Sequence, residues 1–304
     1  MPALPSGVGT ILDETSSLVK YYATPGNLLE RSVAYGAMPE LPELEVLREY
    51  LGPRLEGKRI SEVWTSPKLS FLLRTPPDEF ARQLTGGVFQ RAWRRGKFLI
   101  FDISAQHLVI NPMLGGRLQW TTRSEKVAAA TVFRITLEDG EELRFLDAVK
   151  MGRVYWVAPG ALPTIPGWAE LGPDALTVGQ SEFTQRIRRH PGELKNLLRN
   201  QAFISGVGNA YSDEILHEAE LLPLRKRTTL KSDEVNRLHA ATGKVLRSAI
   251  ESIKAQPKYE PHKQDRSFMA VHGKAKEKCP RCGHRISELT ARGEATDFCR
   301  GCQH

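Results

Sequence analysis

The chain has 304 residues, 40% hydrophobic and 26% charged, with a net charge of +8 and a pI near 9.3. That is enough chain for two domains with cores of their own, too apolar for a disordered polymer, and without the ~18–20-residue apolar run of a transmembrane helix. The positive balance suits a polyanionic partner or an acidic membrane surface, although a solvated basic face has the same composition.

The first 37 residues carry Asp13, Glu14 and Glu30 against Lys20 and Arg31, with no positive stretch ahead of an apolar core. They do not read as a secretory signal. Met38-Pro39-Glu40-Leu41-Pro42-Glu43 follows. A proline at a free N-terminus is a secondary amine titrating near the α-amino range. It can attack an electrophilic sugar or aldehyde carbon and form an iminium. Inside a chain the same nitrogen is an amide and is not nucleophilic, so activity turns on whether Met38 or Met1 is the start. We take Met38 as the start and 1–37 as an extension outside the functional protein. Met1-Pro2-Ala3-Leu4-Pro5-Ser6 echoes the motif but has neither carboxylate. Pro42 also suits a first helical turn; Leu44, Leu47 and Leu51 then share a face, and Gly52-Pro53 is expected to end the helix.

Residues 59–65, 87–93, 97–103, 107–110, 117–120, 131–137, 141–146 and 153–157 are short, β-branched or aromatic, and separated by turn signals such as Asp139-Gly140. They predict an antiparallel sandwich or barrel packed on the first helix. Pro159 to Pro173 is rich in proline and glycine and marks a linker. Helical patterns then cover 181–190, 193–201, 209–219 and 232–254. The predicted divisions are 38–160 for a β-sandwich, 161–175 for the linker, 176–262 for a helical domain, and 263–304 for a loop and a metal finger.

Gly206-Val207-Gly208-Asn209 allows a tight turn and close backbone approach, with Asn209 as the expected N-cap. Helix N-terminal amides of this kind bind anions, and an ordinary helical hairpin fits the same residues. Arg186, Arg188, Arg189, Lys195, Arg199, Arg225, Lys226 and Arg227 surround the element as an electrostatic footprint for duplex DNA. Lys97, in Arg94-Arg95-Gly96-Lys97-Phe98, reads either as a functional cation or as an edge-strand lysine.

All four cysteines lie in the last 26 residues, as Cys279-x-x-Cys282 and Cys299-x-x-Cys302 with sixteen residues between. Such clustering points to a reducing compartment and a metal rather than scattered disulfides. Four thiolates close a tetrahedral site with no open position, so the expected ion is one structural Zn²⁺. Arg285–Leu289 and Ala295–Phe298 read as a β-hairpin between the knuckles; His284 and His304 are not counted as ligands.

Taken in order, these blocks resemble the Fpg/Nei family, the formamidopyrimidine-DNA and endonuclease VIII type glycosylases, over about residues 38–304. The resemblance implies an α+β multidomain fold. Its parts are an N-terminal antiparallel β-sandwich flanked by helices, a helix–two-turn–helix domain, and a C-terminal zinc-ribbon hairpin. It implies a glycosylase and abasic-site lyase acting on oxidised bases or abasic sites in duplex DNA, as a monomer in the cytoplasm or nucleoid. Pro39 would attack C1′, Glu40 would protonate the sugar ring oxygen, and β- then δ-elimination would cut the strand. Glu43 would be the second carboxylate, Lys97 the lesion-side cation, and Lys195, Asn209 and Gly208 contacts to phosphate.

A flipped base leaves a hole to be plugged. The resemblance gives that role to Met113 or Leu114 on one loop and to Lys150 and Met151 on another. Val149 stands where the Fpg-type arginine is usual, and Met151 where the aromatic is. Glu294 occupies the finger position usual for a phosphate-gripping arginine, leaving Arg292 as the nearest substitute. The loop from Lys263 to Gly273 is short for one that covers 8-oxoguanine, which favours Nei-type lesions, ring-opened purines or hydantoins. Two alternatives stand: a catalytically silent damaged-DNA-binding protein with its proline blocked by the extension, and a zinc-ribbon RNA or ribosome-associated factor.

Overall fold

The computed structural model describes residues 38–291 and 294–304. The extension 1–37 and Arg292 lie outside the described residues. Helix α1 (Leu41–Leu55) opens the described chain. Strands β1 (Ile60–Thr65), β2 (Phe89–Arg95), β3 (Phe98–Ile103), β4 (Gln106–Asn111), β5 (Gly116–Thr122), β6 (Thr131–Leu137), β7 (Glu141–Asp147) and β8 (Arg153–Val157) follow, with helix α2 (Pro77–Leu84) between β1 and β2. Two four-stranded antiparallel sheets result, in the orders β1-β6-β7-β5 and β2-β3-β4-β8.

Side chains alternate across a strand, and both faces of β3 are covered. Leu99, Phe101 and Ile103 join Phe133, Ile135, Leu143 and Phe145 of the other sheet in one core with Leu44, Leu47, Leu51 and Leu55 of α1. Phe98 and Ile100 face the opposite way and pack with Val109, Tyr155, Ile165 and Trp168. This is why β3 reads as a nearly unbroken apolar run. Ile165 and Trp168 come from the proline-rich passage after β8, which therefore covers a sheet face with part of its length.

Helix α1 does not stop at Gly52-Pro53. It runs on to Leu55, because Leu51 and Leu55 are both buried in the sandwich core and outweigh the single hydrogen bond that Pro53 removes in the last turn. Helix α2 was not expected among the strands. Pro77 at its first turn, Asp78 and Glu79 beside it, and the buried pair Phe80 and Leu84 at helical spacing account for it.

The second half holds α3 (Gln180–Ile187), α4 (Leu194–Arg199), α5 (Asn209–Glu218) and α6 (Ser232–Lys254), followed by the hairpin β9 (Ser287–Ala291) and β10 (Glu294–Phe298). Phe183, Leu198, Phe203, Tyr211, Leu216 and Leu246 build its core. Leu41 and Val46 of α1 belong to this second core. One helix thus feeds both hydrophobic clusters and fixes the motif at its N-terminus between them.

Candidate active site

Pro39 and Glu40 are buried just ahead of α1, and the Leu41 amide donates to the Gly206 carbonyl at 3.0 Å. The Glu40 carboxylate accepts hydrogen bonds from the amides of Gly208 and Ala210, the latter at 2.9 Å. Asn209 is therefore the first residue of α5 and not its cap. The cap comes from a carboxylate far away in sequence, which fills the anion site of this helix N-terminus. Gly208 has no room for a side chain, since a Cβ there would lie 2.5 Å from Glu40 Cδ.

Glu43 is the hub beneath. Its Oε2 accepts from the Glu40 amide at 3.0 Å, and its Oε1 accepts from Tyr211 Oη at 3.0 Å and Arg266 Nε at 2.7 Å. A second Arg266 nitrogen donates to the Met38 carbonyl oxygen at 2.8 Å. Lys97 does not lie within a strand. It is the second residue of the two-residue turn joining β2 to β3, where Gly96 takes φ +55°. Its Nζ approaches Met38 Sδ at 3.8 Å. Burial pushes the Lys97 ammonium below the ordinary lysine range, against the pull of Glu40. Burial and Glu43 together raise the Tyr211 phenol, keeping it a neutral donor. The arrangement supplies a carboxylate on preorganised amides, a cation of weakened basicity, and a proline whose nitrogen here is an amide.

Lys195 is 3% exposed, and its Nζ pairs with Asp213 Oδ1 at 2.6 Å. Both Lys195 Nζ and Asn209 Nδ2 donate to the Ala295 carbonyl of β10, each at 3.1 Å. Among the described residues, the buried Asn209 Oδ1 has no hydrogen-bond partner. His272 Nδ1 lies 2.9 Å from Asp213 Oδ2, so α5, the loop before the finger and the finger hairpin meet here.

The four cysteine sulfurs lie within 4.8 Å of one another. Cys279 and Cys302 are 3.8 Å apart, and Cys282 and Cys299 3.4 Å. A tetrahedron of Zn–S bonds of ~2.3 Å needs sulfur separations near 3.8 Å, so the donor set fits one structural zinc. His217 Nε2, from α5, stands 3.3 Å from Cys279 Sγ and 3.5 Å from Cys302 Sγ. Arg281 and Gln303 tie the knuckles to the end of the same helix through the carbonyls of His217 and Leu221.

Residues 38–154 match the Formamidopyrimidine-DNA glycosylase N-terminal domain, 171–258 the Formamidopyrimidine-DNA glycosylase H2TH domain, and 276–304 the zinc finger found in FPG and IleRS. The formamidopyrimidine-DNA glycosylase of Listeria innocua is 32% identical over 277 residues, covering 88% of this chain and 100% of the relative. The chain belongs to the formamidopyrimidine-DNA glycosylase family. The Symbiobacterium thermophilum formamidopyrimidine-DNA glycosylase is 34% identical, with 88% of this chain and 89% of the relative aligned. A Lactococcus lactis FPG mutant in complex with Fapy-dG containing DNA superposes with TM-score 0.80 at 26% identity, covering 88% of this chain and all of that one. The Lactococcus lactis Fpg bound to abasic-site DNA gives TM-score 0.79 at 25% identity, covering 87% and 99%. The three matched domains all lie from Met38 onward.

Within this Fpg-family fold the loops 111–116 and 147–152, from which the sequence drew its wedge candidates, are adjacent. Met113 adopts φ +48° and Leu114 is exposed. The second loop is wound around Asp147, whose carboxylate accepts the amides of Val149, Lys150, Met151 and Gly152. Lys150 is exposed at φ +64° and Met151 is half-buried. A Cβ at Gly115 would lie 2.5 Å from Val149 Cβ, so glycine lets the loops touch. Glu294 forms an ion pair with Arg199 at 2.5 Å.

A narrow cleft opens beside Pro39, lined by Leu47, Leu99, Arg117, Tyr259 and Gln264 among others. Burial and the nearby Arg266 charge push Arg117 down to about 10. Among these residues, Arg266, Tyr211, Asp213 and His217 were not singled out from sequence. Tyr211 and Asp213 lie in the motif-bearing helix α5, where a polar residue at a buried position was the available signal. Arg266 sits in a loop without periodicity and gave none.

Proposed function

We propose that this chain is a bifunctional DNA glycosylase and abasic-site lyase of base excision repair, active when Pro39 is its first residue. The observation that carries this reading is the meeting of Pro39, Glu40, Glu43 and Lys97 with the Gly208–Ala210 amides at the start of α5. The substrate is duplex DNA carrying ring-opened or oxidised bases, or abasic sites. The Pro39 nitrogen pair attacks C1′ and the base departs with the electrons of its glycosidic bond. Glu40, held 2% exposed on two amides, is placed for proton transfer to the sugar oxygen. The iminium acidifies C2′, and loss of that proton expels the 3′ phosphate; loss of the C4′ proton from the conjugated iminium so formed then expels the 5′ phosphate. In this reading Lys97 and Asn209 face the lesion-side backbone, while Lys195, paired with Asp213, and Gly208, whose amide serves Glu40, hold that surface in place. Met113, Leu114, Lys150 and Met151 fill the space the base vacates. Thiolate-bound zinc suits a reducing cytoplasm or nucleoid.

Borohydride trapping on abasic-site duplex, with mass mapping of the adduct, tests it using protein that starts at Pro39. An adduct on the Pro39 nitrogen is expected. No adduct, with DNA binding intact, would leave a silent damaged-DNA binder. One observation favours that second reading for a longer chain: with Met38 attached, the Pro39 nitrogen is an amide whose carbonyl is engaged by Arg266.

A further inference from the structure

The Met38–Pro39 peptide bond shows where the reacting atoms belong. Its carbonyl carbon is bonded to the Pro39 nitrogen, as C1′ of the sugar becomes when that nitrogen attacks. The carbonyl oxygen is one bond further, in the place of the oxygen that C1′ carries. That oxygen is held by an Arg266 guanidinium N–H at 2.8 Å, inside the 2.7–3.1 Å window of an oxyanion donor.

The donor is fixed before any substrate arrives. Arg266 Nε is tied to Glu43 Oε1 at 2.7 Å, and Glu43 is itself held by Tyr211 Oη and the Glu40 amide, both at 3.0 Å. The Arg266 side chain is 12% exposed, so water competes little for it. Donors fixed in a site largely closed to water act on developing charge without reorganising.

We propose that Arg266 is the hydrogen-bond donor to the C1′ oxygen while the Pro39 iminium forms. The inference rests on the reading of Pro39 as nucleophile. On an abasic site, C1′ is an aldehyde carbon. The Pro39 nitrogen pair forms the N–C1′ bond and the C=O π pair moves onto oxygen, where Arg266 meets the charge. The ammonium proton passes to that oxygen and gives a carbinolamine. One further proton, which the Glu40 carboxylate takes from the protonated Pro39 amine as that nitrogen becomes a nucleophile, is returned to the oxygen and lets it leave as water; the nitrogen pair closes the C=N bond. Arg266 stays protonated throughout and supplies no proton.

The test uses protein beginning at Pro39 and abasic-site duplex under single-turnover trapping. Arg266→Gln should slow adduct formation about 10²-fold, the usual cost of one oxyanion donor, while affinity for a tetrahydrofuran-site duplex changes far less. Arg266→Lys should recover part of the rate, and free guanidinium should rescue Arg266→Ala. Trapping by Arg266→Gln at the wild-type rate would overturn the inference. So would equal losses of rate and affinity without guanidinium rescue, because Arg266 would then only brace its loop. If the unsubstituted protein forms no adduct, the Pro39 reading itself fails and this inference with it.

Discussion

Glu40 caps the helix that begins beside Gly208, 168 residues further along the chain. The carboxylate serves two purposes. It satisfies the Gly208 and Ala210 amides, and it is the proton carrier of the proposed chemistry. Gly208→Ala would bring a methyl group to 2.5 Å from Glu40 Cδ and force the two apart. We expect excision to fall about 10²-fold, the scale of a displaced acid–base group, with a destabilisation of about 1–3 kcal/mol. Single-turnover excision and thermal unfolding measured side by side check this. Full activity in the alanine variant would show that the close approach is dispensable.

Pro39→Gly, in protein starting at residue 39, should lose roughly 10³-fold or more in base release and strand cleavage. Glycine keeps a primary amine, so some residual iminium chemistry is expected. A trapped adduct mapping to Lys97 would show that this lysine, less basic through burial, is the nucleophile instead.

Much of the architecture was legible in sequence for a physical reason: strand alternation and helix spacing follow from burying one face. The strands were placed to within a residue or two, and α6 was read at its observed bounds, 232–254. Errors arose where a distant partner overrides local preference. Asn209 is a good cap by type, but Glu40 takes the position. Gly52-Pro53 is a good helix stop, but Leu55 has a core to reach. The charged cluster was partly legible, because Glu40, Glu43 and Lys97 sit in motifs. Arg266 was not, since its importance is a distance to Glu43 and Met38 that no spacing encodes.

Arg199 at the end of α4 and Glu294 at the start of β10 form a partly exposed pair. Such pairs contribute little stability, so breaking this one should alter binding more than folding. Glu294→Gln leaves Arg199 available for phosphate and removes a repelling charge. The slope of log Kd against log salt should steepen by about 0.9, one added phosphate contact. Arg199→Ala should bind more weakly without that steepening. Fluorescence anisotropy across a salt series measures both, and identical slopes in all three proteins would contradict the assignment.

Glu234 is held down to about 2 by its paired hydrogen bonds from Arg225, at 2.6 and 2.8 Å. A carboxylate depressed in the folded state stabilises above its unfolded value, 4.5, and loses that contribution as pH falls through 4.5 toward 2. Glu234→Gln should therefore melt a few degrees lower at pH 7, for a loss of about 1–2 kcal/mol. Near pH 2 the two proteins should converge. A constant gap across that range would mean that packing, not charge, separates them.

The zinc thiolates should depend on His217. With its proton on Nε2, the tautomer that two thiolates favour, His217 donates between Cys279 and Cys302 and shares out their negative charge, and removal of such a partner typically costs 10–100-fold in metal affinity. His217→Phe keeps the bulk and loses the donor. Chelator competition should show faster zinc loss at nearly unchanged helicity. Cys279→Ser should lose the metal more completely. A phenylalanine variant that retains zinc as firmly as the parent would remove this histidine from the account.

The Ala295 carbonyl, two residues ahead of Asp297 in the finger hairpin, receives both Lys195 and Asn209. The position of those two polar groups is thereby set by a hairpin whose own shape needs a metal ion. With Asn209 facing the lesion-side backbone and Lys195 holding that surface in place as proposed, zinc occupancy and grip on damaged DNA would be two sides of one equilibrium. Coupling of that kind is reciprocal: whatever zinc contributes to holding the lesion, the bound lesion returns as tighter retention of zinc. Cells short of the metal would lose repair through weakened recognition, with the residues around Pro39 unaltered.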